Sequence, residues 1–194
     1  MDYSYLIQEI YSLIRGIEEG ANRSSEIIKG LRSFSRLDEE ASQFYDIHEG
    51  IDSSLVLLQN KIKDKITVRK DYGDFEGLEC FPSKLNQVIM NILTNSIQAV
   101  EEGKGELFIQ TISSAIGIKI IIKDNGKGIP PEVKKRMFEP FYTTKDVGQG
   151  TGLGLSISYG IIERHNGNID VITEAGKGTE FIISLPKTQL NAST

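Results

Sequence analysis

Lys123-Asp124-Asn125-Gly126-Lys127-Gly128-Ile129 decides how this chain is read, together with Gly150-Thr151-Gly152-Leu153-Gly154-Leu155 downstream. The first stretch follows a run of β-type residues, Ile116 to Ile122, so it lies where a strand gives way to a loop. A carboxylate leaves the strand end at Asp124. Gly126 and Gly128 then allow close backbone approach or positive φ, which residues with a Cβ do badly. The second stretch combines three glycines with a threonine and runs into an apolar-periodic segment, Leu153 to Ile162. Glycines that open a helix make an anion site, because the first amides lack intrahelical partners and the dipole favours negative charge. One carboxylate to hold a base and one amide-rich loop to hold phosphates point to a nucleotide.

Working outward from these loops, Leu107 to Ser113 and Ile116 to Lys123 read as a hairpin across Ser114-Ala115. Upstream, the helix expected over Pro82 to Glu101 starts on a proline suited to its first turn. It carries Leu85, Val88, Ile89, Ile92, Leu93, Ile97 and Val100 on one face. Before it come a short strand near Gln43 to Asp46, a helix over Ile47 to Asn60, and a strand over Ile66 to Lys70. Asp71-Tyr72-Gly73-Asp74 reads as a turn, and Leu78 to Cys80 as a short strand. Downstream, Val133 to Phe138 reads as a short helix after Pro130-Pro131, and Thr143 to Gly150 as a lid. A helix over 152–164 should stop at Asn166-Gly167-Asn168. Strands over Ile169 to Thr173 and Thr179 to Leu185 follow, joined by the turn Glu174 to Gly178. These elements make an α+β domain, a two-layer α/β sandwich with a mixed, mainly antiparallel sheet and its helices on one face.

The N-terminal region differs. Tyr3, Ile7, Ile10, Ile14, Ile17, Ala21, Ile28 and Leu31 fall at alternating spacings of three and four, interrupted by Ser24 between Ala21 and Ile28, which predicts one long helix over 3–36, roughly 50 Å in length. It lies on its own domain or is one half of a helical hairpin whose other half is absent; the seam is too long for one small domain, which favours the hairpin. Leu37 to Ser42 reads as a hinge. The expected organisation is 1–38 as this helix, 39–188 as the catalytic domain and 189–194 as a frayed tail.

Composition bounds the function. Hydrophobic residues make up 39% and charged residues 25% of the 194, values of a globular protein. A net charge of −5 argues against a nucleic-acid partner. The single cysteine, Cys80, excludes an internal disulfide framework. No apolar run approaches the roughly 18 residues of a membrane span, so a cytoplasmic location is expected, although a longer parent protein could be membrane-anchored.

Asn91 and Asn95 are four apart and share one face of the helix over Pro82 to Glu101. A buried amide must be hydrogen-bonded or coordinated, and an Asn carbonyl is a reasonable Mg²⁺ ligand; the plainer reading is a bond to neighbouring backbone. Asn91-xxx-Asn95-Ser96-xx-Ala99 resembles the N box of histidine kinases. Asp124-Asn-Gly126-Lys-Gly128-Ile129 resembles their G1 box, Phe138-Glu-Pro-Phe141 the F box and Gly150-Thr-Gly152-Leu-Gly154-Leu155 the G2 box. Gly176-Lys-Gly178-Thr179 is similar to their last glycine motif. All five stand in the family's order across about residues 46–186. The glycines at 150, 152 and 154 also fit a loose dinucleotide pattern, but they follow a lid rather than a strand, which excludes a Rossmann unit. Ile27 to Arg36 resembles the second helix of the family's dimerisation hairpin.

The resemblance implies a Bergerat-type ATP site of the GHKL superfamily. Asp124 would accept the adenine amino group, with Thr179 supporting it through water. Asn95 would ligate the Mg²⁺ that bridges the phosphates, with Asn91 beside it. The amides from Gly150 through Thr151, Gly152, Leu153, Gly154 and Leu155 would cap the phosphates, and Lys145 would reach the γ-phosphate or else be a solvated lid lysine. Ala99, Gly126 and Gly128 complete the motif positions around the nucleotide. Ile129, Leu153 and Phe181 would lie near the base or be plain core. The related clamp ATPases place a water-activating glutamate where this chain has Asn91, a poor general base, so the resemblance favours phosphoryl transfer over hydrolysis. The implied activity is that of a sensor histidine kinase, with a homodimer through the N-terminal helix and a response regulator receiver domain as partner. The alternatives are a clamp ATPase and a degenerate nucleotide-binding scaffold.

The phosphoacceptor histidine belongs on the first helix of the hairpin, and neither histidine here follows that pattern. His48-Glu49 imitates an acceptor motif but comes after the long helix and reads as a surface or cap residue. His165 reads as a helix-terminus residue favoured by the dipole.

Overall fold

The computed structural model describes residues 3, 7–11, 13–18, 20–21, 42–63, 65–145 and 150–187. The described residues between 3 and 21 are helical, and Ile7, Ile10, Ile14 and Ile17 are about half exposed or more. The remainder of the helix expected to residue 36, the hinge up to residue 41, residues 146–149 of the lid and the tail from 188 lie outside the described residues.

From residue 43 the chain runs β1 (Gln43–Tyr45), α1 (Ile47–Leu57), α2 (Gln59–Ile62), β2 (Ile66–Tyr72), β3 (Leu78–Cys80) and α3 (Pro82–Ala99). It continues through β4 (Gly105–Ser114), β5 (Gly117–Asp124), α4 (Pro131–Lys134), α5 (Gly154–Arg164), β6 (Asn168–Glu174) and β7 (Gly178–Pro186). β1 and β3 form a small antiparallel pair, and the main sheet has the order β2-β4-β5-β7-β6. Among the described residues only β2 and β4 are parallel neighbours, which requires a crossover, and α3 supplies it.

Alternation decides which face is covered. Along β5, Ile118, Ile120, Ile122 and Asp124 are buried while Lys119 and Lys123 are exposed. β4 and β7 continue that face with Leu107, Ile109, Phe181, Ile183 and Leu185. Onto it pack Leu85, Ile89, Ile92 and Leu93 of α3, Ile47 and Ile51 of α1, and Ile157, Ile161 and Ile162 of α5, in one hydrophobic core. The helices therefore cover one face of a two-layer sandwich, as the sequence predicts. Cys80 is buried in this core, and burial pushes its thiol up to about 12, so it stays protonated and unreactive.

Several boundaries differ from the sequence reading. The helix expected over 47–60 breaks at Leu58, with α2 as a separate turn of helix. Asp71 and Tyr72 belong to β2 rather than to a turn, because pairing with Gln110 and Thr111 extends the strand. The helix expected at 133–138 begins earlier, at Pro131, and ends at Lys134. α5 starts at Gly154 rather than residue 152.

His165 corrects a second expectation. It follows α5 but is only 1% exposed, so it is no cation resting on a helix dipole. Its ring Nδ1 lies 2.7 Å from Ile161 O, and the Phe81 amide donates to Nε2 at 3.1 Å. That pair of partners requires the neutral ring, with Nδ1–H donating and Nε2 accepting. The histidine thus ties the end of α5 to the residue preceding α3, and burial holds its pKa below 6.5. The unfolded chain then binds the proton first as pH falls. Stability is fully present above about pH 6.5 and declines as pH drops toward the folded pKa. His165→Asn is expected to lower urea-unfolding stability at pH 7.5 by about 1–3 kcal/mol and to flatten the loss between pH 6.5 and 5. Urea titrations at several pH values measure both effects.

Candidate functional site

β5 delivers Asp124 to the buried end of the sheet, where its carboxyl is 2% exposed. Asp124 pairs in register with Thr179 of β7, and the Thr179 amide donates to Asp124 Oδ1 at 3.2 Å. The Gly126 amide donates to the same oxygen at 2.9 Å. Both amides thus take Oδ1, which leaves Oδ2 as the acceptor available to a ligand. Burial raises the pKa of the carboxyl above its ordinary value, and the bond from Gly126 N–H opposes that rise most. Ser96 of α3 lies beside this carboxyl and also works against the rise. The serine hydroxyl nevertheless has no hydrogen-bond partner and is an orphaned buried polar atom. A buried acceptor next to an orphaned hydroxyl fits a polar ligand with a donor edge, such as an adenine.

The loop after Asp124 is shaped by neighbouring backbone. The Lys127 amide donates to Ala99 O at 3.0 Å, and a Cβ on Gly126 would lie 2.5 Å from that same carbonyl oxygen. Gly128 has φ +68, and a Cβ there would lie 2.1 Å from Glu174 O. Ala99 is therefore the wall onto which the loop docks. Gly176 N donates to Lys127 O at 2.7 Å, which clasps the turn between β6 and β7 to this loop. Asn125 and Thr173, neither singled out from the sequence, brace it further. Asn125 Oδ1 accepts from Glu106 N at 2.8 Å, and Thr173 Oγ1 accepts from Ile129 N at 2.8 Å. Thr173 Oγ1 also lies 3.1 Å from Thr179 Oγ1, so Thr179 reaches Asp124 through its amide while its hydroxyl serves Thr173.

On the helical side, Asn91 Nδ2 donates to Gly154 O at 3.1 Å and to Ser158 Oγ at 3.2 Å. Asn91 thereby couples α3 to the first turn of α5. The α5 N-terminus carries no side-chain cap, so its first amides face a prospective anion without competition from the chain. Phe141 N donates to Gly152 O at 3.0 Å and anchors the glycine loop to the segment before it. Thr151 Oγ1 accepts a long bond of 3.4 Å from Leu153 N, and Gly150 packs against the Lys145 stem. Leu153 and Phe181 are core, whereas Ile129 and Leu155 are partly buried against it.

Asn95 Oδ1 accepts from Lys145 Nζ at 2.9 Å, and Gln98 Oε1 accepts from the same ammonium at 2.5 Å. Desolvation of the ammonium on these carbonyls lowers the pKa of this lysine, although the residue as a whole is exposed, and the charges of Lys127 and Lys61 lower it further. An ammonium seated on two amide carbonyls is a stand-in cation, so the residues present fit a divalent ion that also takes phosphate oxygens. Gln98 escaped the sequence reading, although its spacing of three from Asn95 places it on the same helical face.

His48 is not brought to this site. It lies on α1 with its ring stacked on Tyr72 at 4.5 Å and Nε2 2.9 Å from Thr111 Oγ1. Thr111 pairs with Ile120, four residues along β5 from Asp124.

Residues 81–189 match the family model described as histidine kinase-, DNA gyrase B-, and HSP90-like ATPase. The chain is 34% identical over 190 residues to the sensor kinase CckA of Brucella abortus (strain 2308), covering 90% of this chain and 20% of that protein. It therefore spans about a fifth of that relative's length. Among solved structures it resembles the nucleotide-free catalytic domain of histidine kinase ThkA, with a TM-score of 0.70 and 32% identity over 77% of this chain and 98% of that one. It also resembles ThkA in complex with the response regulator protein TrrA, with a TM-score of 0.70 and 26% identity over 88% of this chain and 50% of that one.

The loop geometry yields a direct test. Gly128→Ala forces a Cβ onto positive φ and into Glu174 O, and is expected to cost at least about 2 kcal/mol in urea unfolding. Gly176→Ala is the control: it shares the strain of positive φ at φ +80 but meets no atom within 4 Å, and should cost less.

Proposed function

This chain belongs to the family of histidine kinase-, DNA gyrase B-, and HSP90-like ATPases, and we propose that it is the Mg-ATP-binding catalytic part of a sensor histidine kinase. The observation that carries this reading is the buried Asp124 carboxylate. Two backbone amides engage one of its oxygens, and the other is available to accept the amino group of a base. ATP would supply the transferable γ-phosphoryl group, and the chain's own residues would orient it. The uncapped amides of α5 and the Lys145 ammonium would hold the phosphates, while Asn95 would ligate the Mg²⁺ that neutralises them.

The role of Asn91 supports transfer over hydrolysis. Its amide nitrogen is engaged by Gly154 O and Ser158 Oγ, and an amide cannot take a proton from water. A neutral imidazole needs no such base, because its unprotonated nitrogen already carries the attacking lone pair. Positioning and charge neutralisation are then the contributions required of the protein.

In the longer protein the γ-phosphoryl would pass to a histidine on a preceding dimerisation helix, and from there to an aspartate on a response regulator receiver domain. The complex of ThkA with TrrA supports that partner class. The exposed apolar residues Ile7, Ile10, Ile14 and Ile17 support a homodimer through the N-terminal helix. Among the described residues no helix is long and apolar enough to cross a membrane, which is compatible with the proposed cytoplasmic placement.

Calorimetric titration of ATP, with and without Mg²⁺, tests the reading. Binding is expected to strengthen with Mg²⁺ and to weaken about 10- to 100-fold in Asp124→Asn, the loss of one charge-assisted hydrogen bond. Because burying this charge is unfavourable, the same variant should unfold at an unchanged or higher temperature. Unchanged ATP affinity in the variant would remove Asp124 from the site. A wild type that binds no ATP would leave a scaffold, and steady phosphate release without an acceptor would favour the clamp ATPase.

A further inference from the structure

Lys145 Nζ is held by two neutral carbonyl oxygens, Asn95 Oδ1 at 2.9 Å and Gln98 Oε1 at 2.5 Å. Asn95 and Gln98 are three apart on α3, so both carbonyls project from one face and converge on one point. Gln98 is exposed, and an exposed glutamine has no need of a partner to satisfy its burial. Lys127 and Lys61 add positive charge around the same ammonium. Such a concentration of cations awaits a polyanion, and one of them stands on the oxygen that a metal ion would need.

We propose that Asn95 and Gln98 form a single cation seat whose resident before nucleotide arrives is the Lys145 ammonium, so that Mg²⁺ enters only as Lys145 moves off onto the phosphates. This rests on the reading of the site as a Mg-ATP site and deepens it. A divalent ion replaces a monovalent one on the carbonyls, and the released ammonium meets phosphate oxygens instead of neutral amides, its stronger partners. Lys145 is thus a competitor of the metal in the free protein and its collaborator in the complex. Gln98 is a positioning residue, since it acts on the nucleotide through the cation it helps to seat.

The two side chains make opposite predictions. The measurement is calorimetric affinity of the whole chain for the β,γ-imido analogue of ATP across a magnesium series, with no turnover involved. K145M frees the seat but removes a phosphate partner. Its magnesium-free affinity should fall about tenfold, near 1.4 kcal/mol, and the magnesium concentration for half of the full effect should fall about fivefold. Q98L removes one oxygen of the seat and should shrink the magnesium-induced gain in affinity about fivefold, with magnesium-free affinity held or raised. Thermal melting of each variant confirms that the fold is intact; both side chains are exposed. A half-effect concentration within twofold of wild type in K145M, or an unchanged magnesium gain in Q98L, overturns the exchange. A wild type that binds the analogue without magnesium dependence overturns the exchange while the nucleotide site stands. A wild type that binds nothing overturns both.

Discussion

The Asp124 carboxylate is buried at the end of β5, and its burial constrains everything near it. An isolated carboxylate out of water costs several kcal/mol, and part of that cost is offset here by amides from Gly126 and Thr179 on one oxygen. Those donors exist only if β5 and β7 pair in the register that sets Asp124 opposite Thr179. They also require the following loop to turn back sharply, which the contact between Gly126 and Ala99 permits. The pKa of the carboxyl remains raised, so the compensation is incomplete without a ligand. The strand register, the glycine loop and the turn between β6 and β7 are three parts of one arrangement that holds a charge where folding alone would not place it.

The helices set the other side of the site by a similar economy. α3 is the crossover that lets β2 lie parallel to β4, so its buried face is fixed against the sheet and its polar edge points at the loops. Asn91 couples that edge to the start of α5, and His165 couples the end of α5 back to Phe81. α5 is thus held at both ends by side-chain bonds to the same neighbour, one near Gly154 and one at its C-terminus. The uncapped first turn keeps its amides for an anion because its position depends on these bonds rather than on a capping side chain. Asn95 and Gln98, on the same edge of α3, then face Lys145 from the segment before the glycine loop.

Most of the fold was legible in the sequence, and so were Asp124, Thr179 and the glycines near them as candidates, whereas the bracing roles of Asn125 and Thr173 were not. Alternation along β5 and the apolar spacing of α3 announce which side chains are buried, because side-chain period follows directly from backbone geometry. Element ends were less legible. Asp71 and Tyr72 look like turn residues alone, yet pairing with Gln110 and Thr111 holds them in a strand. His165 looks like a cation at a helix end, yet its neutral ring bridges two elements separated by 84 residues in sequence.

The sequence by itself determined the class of fold, the order of the motifs and the chemistry offered at each, since glycine, carboxylate and amide positions are read from local pattern. Only the tertiary structure decided which groups meet. The pairing of Thr179 with Asp124, the approach of Ser96 to that carboxyl, the bond from Asn91 to α5 and the convergence of Asn95 and Gln98 on Lys145 all bring together residues from different elements. No local pattern encodes such meetings, because their distances follow from how the sheet and helices pack, which is a property of the whole domain.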